Sequence, residues 1–337
     1  MAFGYLVDNL KLSFVCGYSF QRIFGGGCGM GNFYEKINRL LYLQKYFNIS
    51  GILSAQNYGK SVIANYYKKS QRLFYRTFAS RQGFMHVGLS ESDTYKKDAG
   101  YELYQLRFVQ EAITSTASTD VLEIGCGQCA NLSVLSPQFP QVHFYGIDLF
   151  PNTKNVHKAK NVTIYQDDYH IISTVEDQSM DIVFAIETLC YSPNKAGVLN
   201  SVYKKLKGNT TFLLFDIFLG QPRKKLQPID ELYLSIMERS YYLSPLEHHE
   251  IFIQEAEANG FTLCENKDLS ILAMPYLIEI EQRMYRYLKA GGLLLKILLK
   301  LYPDAVSRSM PSGIMMRQMV EDGYLQYRLM RFRKDET

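Results

Sequence analysis

The sequence predicts a doubly wound α/β domain with a mostly helical N-terminal cap and a helical insertion in its C-terminal part. Three features carry that prediction. Apolar strands alternate with short helical patterns between 120 and 216, which builds a parallel sheet. The first strand runs into an acid and a Gly-x-Gly turn, Val121-Leu-Glu-Ile-Gly-Cys-Gly-Gln-Cys129. The strands that follow each end on a carboxylate, and sheets of this kind bind ligands beyond their carboxyl ends.

The elements read off in order. Residues 120–124 form the first strand, 130–136 a helix and 142–148 a strand. Strands at 162–166 and 180–186 follow, then a helix at 195–206 and a strand at 211–216. Ser244 and Glu247 have the spacing of a capping box. The helix they open stops at Asn259-Gly260, where glycine takes the left-handed position, and 261–265 is a strand. Upstream, 34–47 and 95–114 carry apolar residues at helical spacing, with a loop at 83–88. The Gly-rich stretch at 24–31 lacks the Gly-Lys-Ser/Thr ending of a phosphate loop. Residues 1–100 thus form a helical cap and substrate region, through which chains could associate. Residues 101–337 form the sheet domain, with an insertion at about 217–310.

Composition narrows the function. The 337 residues are 47% hydrophobic and 21% charged, which suits a packed core and not wholesale disorder. Trp is absent while 26 Tyr and 20 Phe are present, fitting either a pocket for a large apolar or cationic guest or an aromatic-rich core. A net charge of +4 without a long basic run disfavours nucleic-acid partners. Six irregularly spaced cysteines fit a reduced, cytoplasmic setting. A signal peptide's pattern is missing, and no stretch approaches the ~20 apolar residues of a membrane span. Residues 288–302 read as an amphipathic helix edged by Lys289, Lys296 and Lys300. It either packs on the domain or touches a membrane surface peripherally.

The strand ends carry the chemistry. Gly125 and Gly127 let the backbone turn tightly and approach a ligand. Glu123 beside them would repel a pyrophosphate but suits an aminoacyl ammonium group. Asp148, in Tyr145-Gly-Ile-Asp-Leu149, lies about 20 residues after the glycines, where an acid binds a ribose diol. Gln166-Asp-Asp168 ends the next strand, where a carboxylate accepts from an adenine amino group. Asp181-Ile-Val-Phe-Ala-Ile-Glu187 delivers Glu187 at its tip. Cys126-Gly-Gln-Cys129 is formally a redox C-x-x-C at a helix N-terminus. The cofactor already explains its glycines, though, and no second cysteine pair offers a metal site.

With these motifs the sequence resembles the class I S-adenosylmethionine-dependent methyltransferases over about residues 60–270, implying a Rossmann-like methyltransferase sheet and S-adenosylmethionine as cofactor. Position by position, Glu123, Gly125 and Gly127 match the family's acid-x-Gly-x-Gly turn. Asp148 matches its ribose acid and Asp167 its adenine-contacting acid. Cys126, Leu149, Asp168, Ile186 and Tyr67 complete the expected cofactor site. Cys129 stands where the family often has a third glycine. More narrowly, Ala185-Ile-Glu-Thr-Leu-Cys-Tyr-Ser-Pro193 is similar to a segment of the sterol side-chain and prenyl-diphosphate C-methyltransferases. Tyr66-Tyr67, Phe74-Tyr75 and Phe84-Met-His86 resemble their aromatic region without its tryptophan.

Methyl transfer to an alkene leaves a carbocation, which aromatic faces stabilise and a base then deprotonates. Glu187 is the candidate base, with His86 and Tyr191 as helpers. Their plainer readings are a cofactor or helix-cap contact, a structural histidine and pocket lining. The expected activity is carbon methylation of a small, apolar, isoprenoid-like acceptor. The alternatives are an O- or N-methyltransferase of a small metabolite and a non-catalytic cofactor-binding subunit.

Overall fold

The structure, a computed structural model, describes residues 30–54, 83–94, 96, 100–289 and 292–335. Helices α1 (Met30–Gln44), α2 (Ile49–Ser54) and α3 (Tyr104–Thr116) precede strand β1 (Asp120–Ile124). Then come α4 (Ala130–Gln138), β2 (His143–Asp148), β3 (Val162–Gln166), β4 (Met180–Ile186), α5 (Lys195–Lys205) and β5 (Leu206–Leu219). Helices α6 (Pro228–Tyr241) and α7 (His249–Ala258) lead to β6 (Phe261–Asp268). Helices α8 (Ser270–Lys289), α9 (Gly292–Leu301) and α10 (Pro303–Glu321) lead to β7 (Leu325–Lys334).

The seven strands form one sheet in the order β3-β2-β1-β4-β5-β7-β6. The first five are parallel, and β7 runs antiparallel between β5 and β6. Strand periodicity sorts the side chains into two cores. Val121, Phe184 and Phe215 pack on one face beneath α3 and α4. Leu122, Ile124 and Leu214 pack on the other beneath α5 and α7. Burial on both faces explains why the central strands β1 and β4 read as nearly continuous apolar runs, while β3 at the sheet edge is only half-buried.

A third core is mostly helical. Ile37, Leu40 and Leu43 of α1 join Tyr233 and Met237 of α6, Ile280 and Met284 of α8, and Ile314 and Met315 of α10. Charges lock these helices together. Buried Lys36 reaches Asp230 and Asp322, each at 2.5 Å, and Arg39 reaches Glu281 at 2.6 Å. The N-terminal helices therefore pack on the elements inserted after β5.

Several expectations need correction. Ser244 and Glu247 do not cap a helix: α7 starts at His249, with His248 as its N-cap. The Ser244 amide and hydroxyl donate instead to the carbonyls of Cys190 and Tyr191, at 2.9 and 3.0 Å. Of residues 288–302, the described part belongs to α8, which ends at Lys289, and to α9, which begins at Gly292 and ends at Leu301; residues 290–291 lie outside the described residues. Strand β5 is longer than its apolar run because β7 pairs with it from Thr210 to Leu219. The helix expected at 95–114 has a 3-10 turn at Tyr101–Leu103, and of its earlier part only Lys96 and Gly100 are among the described residues.

Candidate active site

The turn after β1 is built by glycine where glycine is needed. The amides of Gly125 and Cys126 both donate to the Ile147 carbonyl, at 2.8 and 3.1 Å, which folds the chain sharply over β2. Gly125 has φ +72, and a Cβ there would lie 2.3 Å from Thr188. At Gly127, φ is +47 and nothing lies within 4 Å of the Cβ position, so the backbone borders an open concavity. Cys129 also adopts left-handed geometry, φ 54, where glycine would be unstrained. Its sulfur sits 3.9 Å from that of Cys126. That contact and burial push the Cys126 thiol well up, the reverse of what a redox pair requires. Among the described residues no cluster could hold a metal.

The acids at the strand tips differ in what they have left to offer. Glu123 is buried and takes one hydrogen bond at Oε1, from Asn131 Nδ2 at 2.7 Å. Its Oε2 is buried with no partner, and burial pushes its carboxyl well above the usual range. A cationic group there would satisfy that oxygen. Asp148 accepts from the Gly127 amide at 3.0 Å and the Phe150 amide at 2.8 Å, tying the tip of β2 to the glycine turn. Burial raises its carboxyl against those two bonds. Burial would also raise Asp167, but hydrogen bonds from Thr174, the Asp168 amide and Ser173 carry it below the usual range. Asp168 holds the His170 ring at 2.7 Å. The loop after β3 thus engages both acids. Cys126 and Ile186 are buried and Leu149 half-buried beside them, while Tyr67, Tyr75 and the rest of 55–82 lie outside the described residues.

Glu187 occupies a different environment. It follows β4 in left-handed geometry, φ 50, a strained conformation for a non-glycine residue and one that clusters at functional sites. Its Oε1 accepts from the Val87 amide at 2.7 Å, and the Tyr327 hydroxyl also bonds to it. Burial lifts its pKa to about 7, against those two bonds and with help from Asp216. The carboxyl borders a cavity of about 170 Å³ walled by the loop at 83–87, the turn after β4 at 187–191, β5, α6, α8, α10 and β7. Tyr191, Tyr241, Tyr276 and Tyr327 contribute rings to that wall. Glu187 is the one charged side chain among the described lining residues.

His86 is not on that wall. Its Nε2 lies 3.3 Å from Asn131 Oδ1, so the ring joins the Asn131–Glu123 chain under α4. Burial lowers its pKa, which favours the neutral imidazole. Tyr191 does line the cavity. Sequence reasoning missed Asn131, Gln105 and Tyr327. Only Tyr327 had a local signal, the alternation of Leu325, Tyr327 and Leu329 with Gln326 and Arg328.

The glycine turn after β1 and the strands that follow it meet a match. A methyltransferase-domain family model matches residues 122–212. The fold is that of the class I S-adenosylmethionine-dependent methyltransferases. A cyclopropane synthase of Mycobacterium tuberculosis has a similar structure, with TM-score 0.62 and 16% identity over 80% of this chain and 98% of that one. So does geranyl diphosphate C-methyltransferase of Streptomyces coelicolor, with TM-score 0.53 and 12% identity over 80% and 98%. In sequence, the sterol 24-C-methyltransferase of Saccharomyces cerevisiae is 22% identical over 162 residues, 44% of this chain. The matched segment spans 41% of that yeast protein.

Proposed function

We propose that this methyltransferase methylates a carbon atom of a small, uncharged, apolar acceptor, an isoprenoid or other alkene. The observation that carries the reading is Glu187: a carboxyl with a pKa of about 7 on the wall of an aromatic cavity that shows no described cationic side chain. The relatives named for sterol, geranyl diphosphate and cyclopropane chemistry support it.

The cofactor's groups find complements in this chain. The orphaned Oε2 of Glu123 suits the aminoacyl ammonium, with the Gly125–Gly127 turn as its cradle. Asp148 suits the ribose diol. Asp167 and Asp168 flank the adenine position, with Cys126, Leu149 and Ile186 beside them and Tyr67 assigned from the sequence. When bound, S-adenosylmethionine supplies an electrophilic methyl group on its sulfonium.

Four tyrosine rings around the cavity offer their faces to positive charge developing on the acceptor. Glu187, ionised in part at neutral pH, takes the proton that the methylated acceptor must lose. His86, neutral and held by Asn131, orients Glu123 rather than joining Glu187. Tyr191 lines the acceptor's path. Apart from Glu187 the wall is uncharged and mostly apolar, which disfavours the water that would otherwise capture a cation.

The reading extends to a lipid surface as the acceptor's source. Ile297 and Leu301 of α9 are exposed beside Lys296 and Lys300, an apolar and basic face suited to anionic headgroups. No described helix is long and apolar enough to cross a membrane, so any contact would be peripheral.

The test is product mass spectrometry with methyl-labelled cofactor and a panel of neutral terpene alkenes, sterols, prenyl diphosphates, phenols and amines. Label on carbon of a neutral alkene or sterol is the expected result. Label on oxygen or nitrogen would replace this reading with heteroatom methylation. Cofactor binding without transfer to any member would favour a non-catalytic subunit.

A further inference from the structure

Glu187 is gripped from two sides by groups that a single buried side chain ties together. Gln105 of α3 has no exposure to solvent. Its Nε2 donates to the Val87 carbonyl at 2.8 Å and to the Tyr327 hydroxyl at 3.1 Å. The Val87 carbonyl can only accept, so the amide must present its nitrogen and not its oxygen. That leaves Gln105 Oε1 buried without a partner, a cost that a purely structural glutamine would avoid by other geometry. Because Gln105 donates to the phenol oxygen, the phenol proton is directed away from it, toward Glu187. Residue 87 closes the ring: its amide donates to Glu187 Oε1 while its carbonyl holds Gln105.

We infer that Tyr327, oriented by Gln105, is a positioning residue that keeps Glu187 ionised and aimed into the cavity, so that it is ready to accept a proton. This rests on the reading of Glu187 as base.

The charges around Glu187 explain why such a device is needed. Burial is the largest influence on its carboxyl and favours the neutral acid. Asp216, whose Oδ2 takes the amides of Leu189 and Cys190 at 2.7 and 3.1 Å, adds negative charge nearby and favours the same form. Cys190 and Tyr276 also face Glu187, and ionising either would only add negative charge. No described cation is among the influences on its titration. Only the donors from Val87 and Tyr327 favour the carboxylate. The Val87 bond is backbone and survives any side-chain change. Tyr327 is therefore the one adjustable donor, and burial together with Glu187 holds its own phenol well above the usual range, so it stays protonated and donating.

The experiment follows the carboxyl of Glu187 directly and needs no acceptor. The protonated C=O band is read by infrared difference spectroscopy across pH 5–9 on the full chain with S-adenosylhomocysteine, and assigned by its loss in Glu187→Gln. Tyr327→Phe should move the midpoint upward by on the order of one unit, the scale of one lost hydrogen bond to the carboxylate. Gln105→Leu should move it the same way by less. On whichever acceptor the labelled panel identifies, Tyr327→Phe should lower turnover near pH 7 and regain it at pH 9, with KM for the cofactor unchanged. A merely structural tyrosine would lose turnover evenly across pH. An unmoved midpoint in Tyr327→Phe, or in Gln105→Leu should the first variant not fold, overturns the inference. If Glu187→Gln keeps full turnover while both midpoints shift, the base reading fails and the hydrogen-bonded ring stands.

Discussion

The amide of Val87 donates to the Glu187 carboxylate at 2.7 Å, joining residues a hundred positions apart at the edge of the apolar cavity. One lies in the loop before the first described helix of the sheet domain, the other at the tip of β4. This bond fixes the rotamer of a side chain whose own backbone is strained. It also places the loop at 83–87 on the wall of the cavity that Glu187 borders.

Replacing that carboxyl should separate chemistry from binding. Glu187→Gln keeps the size of the side chain and can still accept from Val87, but it has no base. Turnover should fall by roughly 10²–10⁴, the usual contribution of a positioned acid–base group. Cofactor affinity measured by calorimetry should stay within about twofold. Near-normal turnover at saturating cofactor would remove Glu187 from the mechanism.

The same substitution should change how stability depends on pH. The folded pKa of about 7 lies above the ordinary glutamate value of 4.5. A raised acid contributes stability below its unfolded pKa and loses it as pH rises through the folded value. Ionising Glu187 should therefore cost roughly 3 kcal/mol between pH 4.5 and 7. Thermal unfolding of Glu187→Gln should match the parent at pH 5 and exceed it by several degrees at pH 8. Equal melting temperatures at pH 8 would contradict the assigned pKa.

Asp148 serves both the glycine turn and the proposed ribose contact. Asp148→Ala should weaken S-adenosylmethionine binding by on the order of 1–3 kcal/mol, measured by titration calorimetry on a variant shown to be folded. Unchanged affinity would move the ribose site elsewhere.

The helical body should depend on its buried charges. Lys36 faces Asp230 and Asp322, and Lys36→Met would leave both without their cation. Breaking one side of a buried ion pair costs about 3–5 kcal/mol, so urea unfolding should shift to clearly lower midpoint. A shift below ~1 kcal/mol would show that water reaches these carboxylates.

A lipid-facing role for α9 predicts that vesicles containing anionic phospholipid will retain the protein in flotation, while neutral vesicles will not. Lys296→Glu with Lys300→Glu should abolish retention and leave cofactor affinity intact. Equal retention of the parent by both vesicle types would argue for adventitious apolar contact instead.

Much of the fold could be read from the chain because its signals are local. A parallel strand covered on both faces reads as an apolar run, so β1 and β4 stand out; β2 and the edge strand β3, less buried, are marked by the carboxylates at their ends. The turn at Gly125–Gly127 demands positive φ, and its neighbouring acids fall at strand ends by spacing alone. Strand β7 had an alternating pattern, yet it reads as a central strand only once β5 and β6 flank it. Ser244 had the right neighbours for a cap, but a serine's partner is set by whatever carbonyl comes within reach, here those of Cys190 and Tyr191.

The division between sequence and tertiary structure is sharpest at the strand-tip acids. Glu123, Asp148 and Glu187 look alike in the sequence, each a carboxylate ending a strand. Only the folded chain gives Glu123 an unpartnered oxygen beside Asn131, ties Asp148 to the glycine turn, and places Glu187 against Tyr327 and Val87 with a pKa of about 7. The reason is physical. Periodicity and backbone geometry depend on residues a few positions apart. Hydrogen bonding depends on neighbours the fold brings together, at Glu187 from 100 or more positions away, as Gln105 and Tyr327 are joined at 3.1 Å across a separation of 222 residues. The sequence by itself determined the sheet, its glycine turn and the positions of its acids; the tertiary structure alone decided which acid holds and which can take a proton.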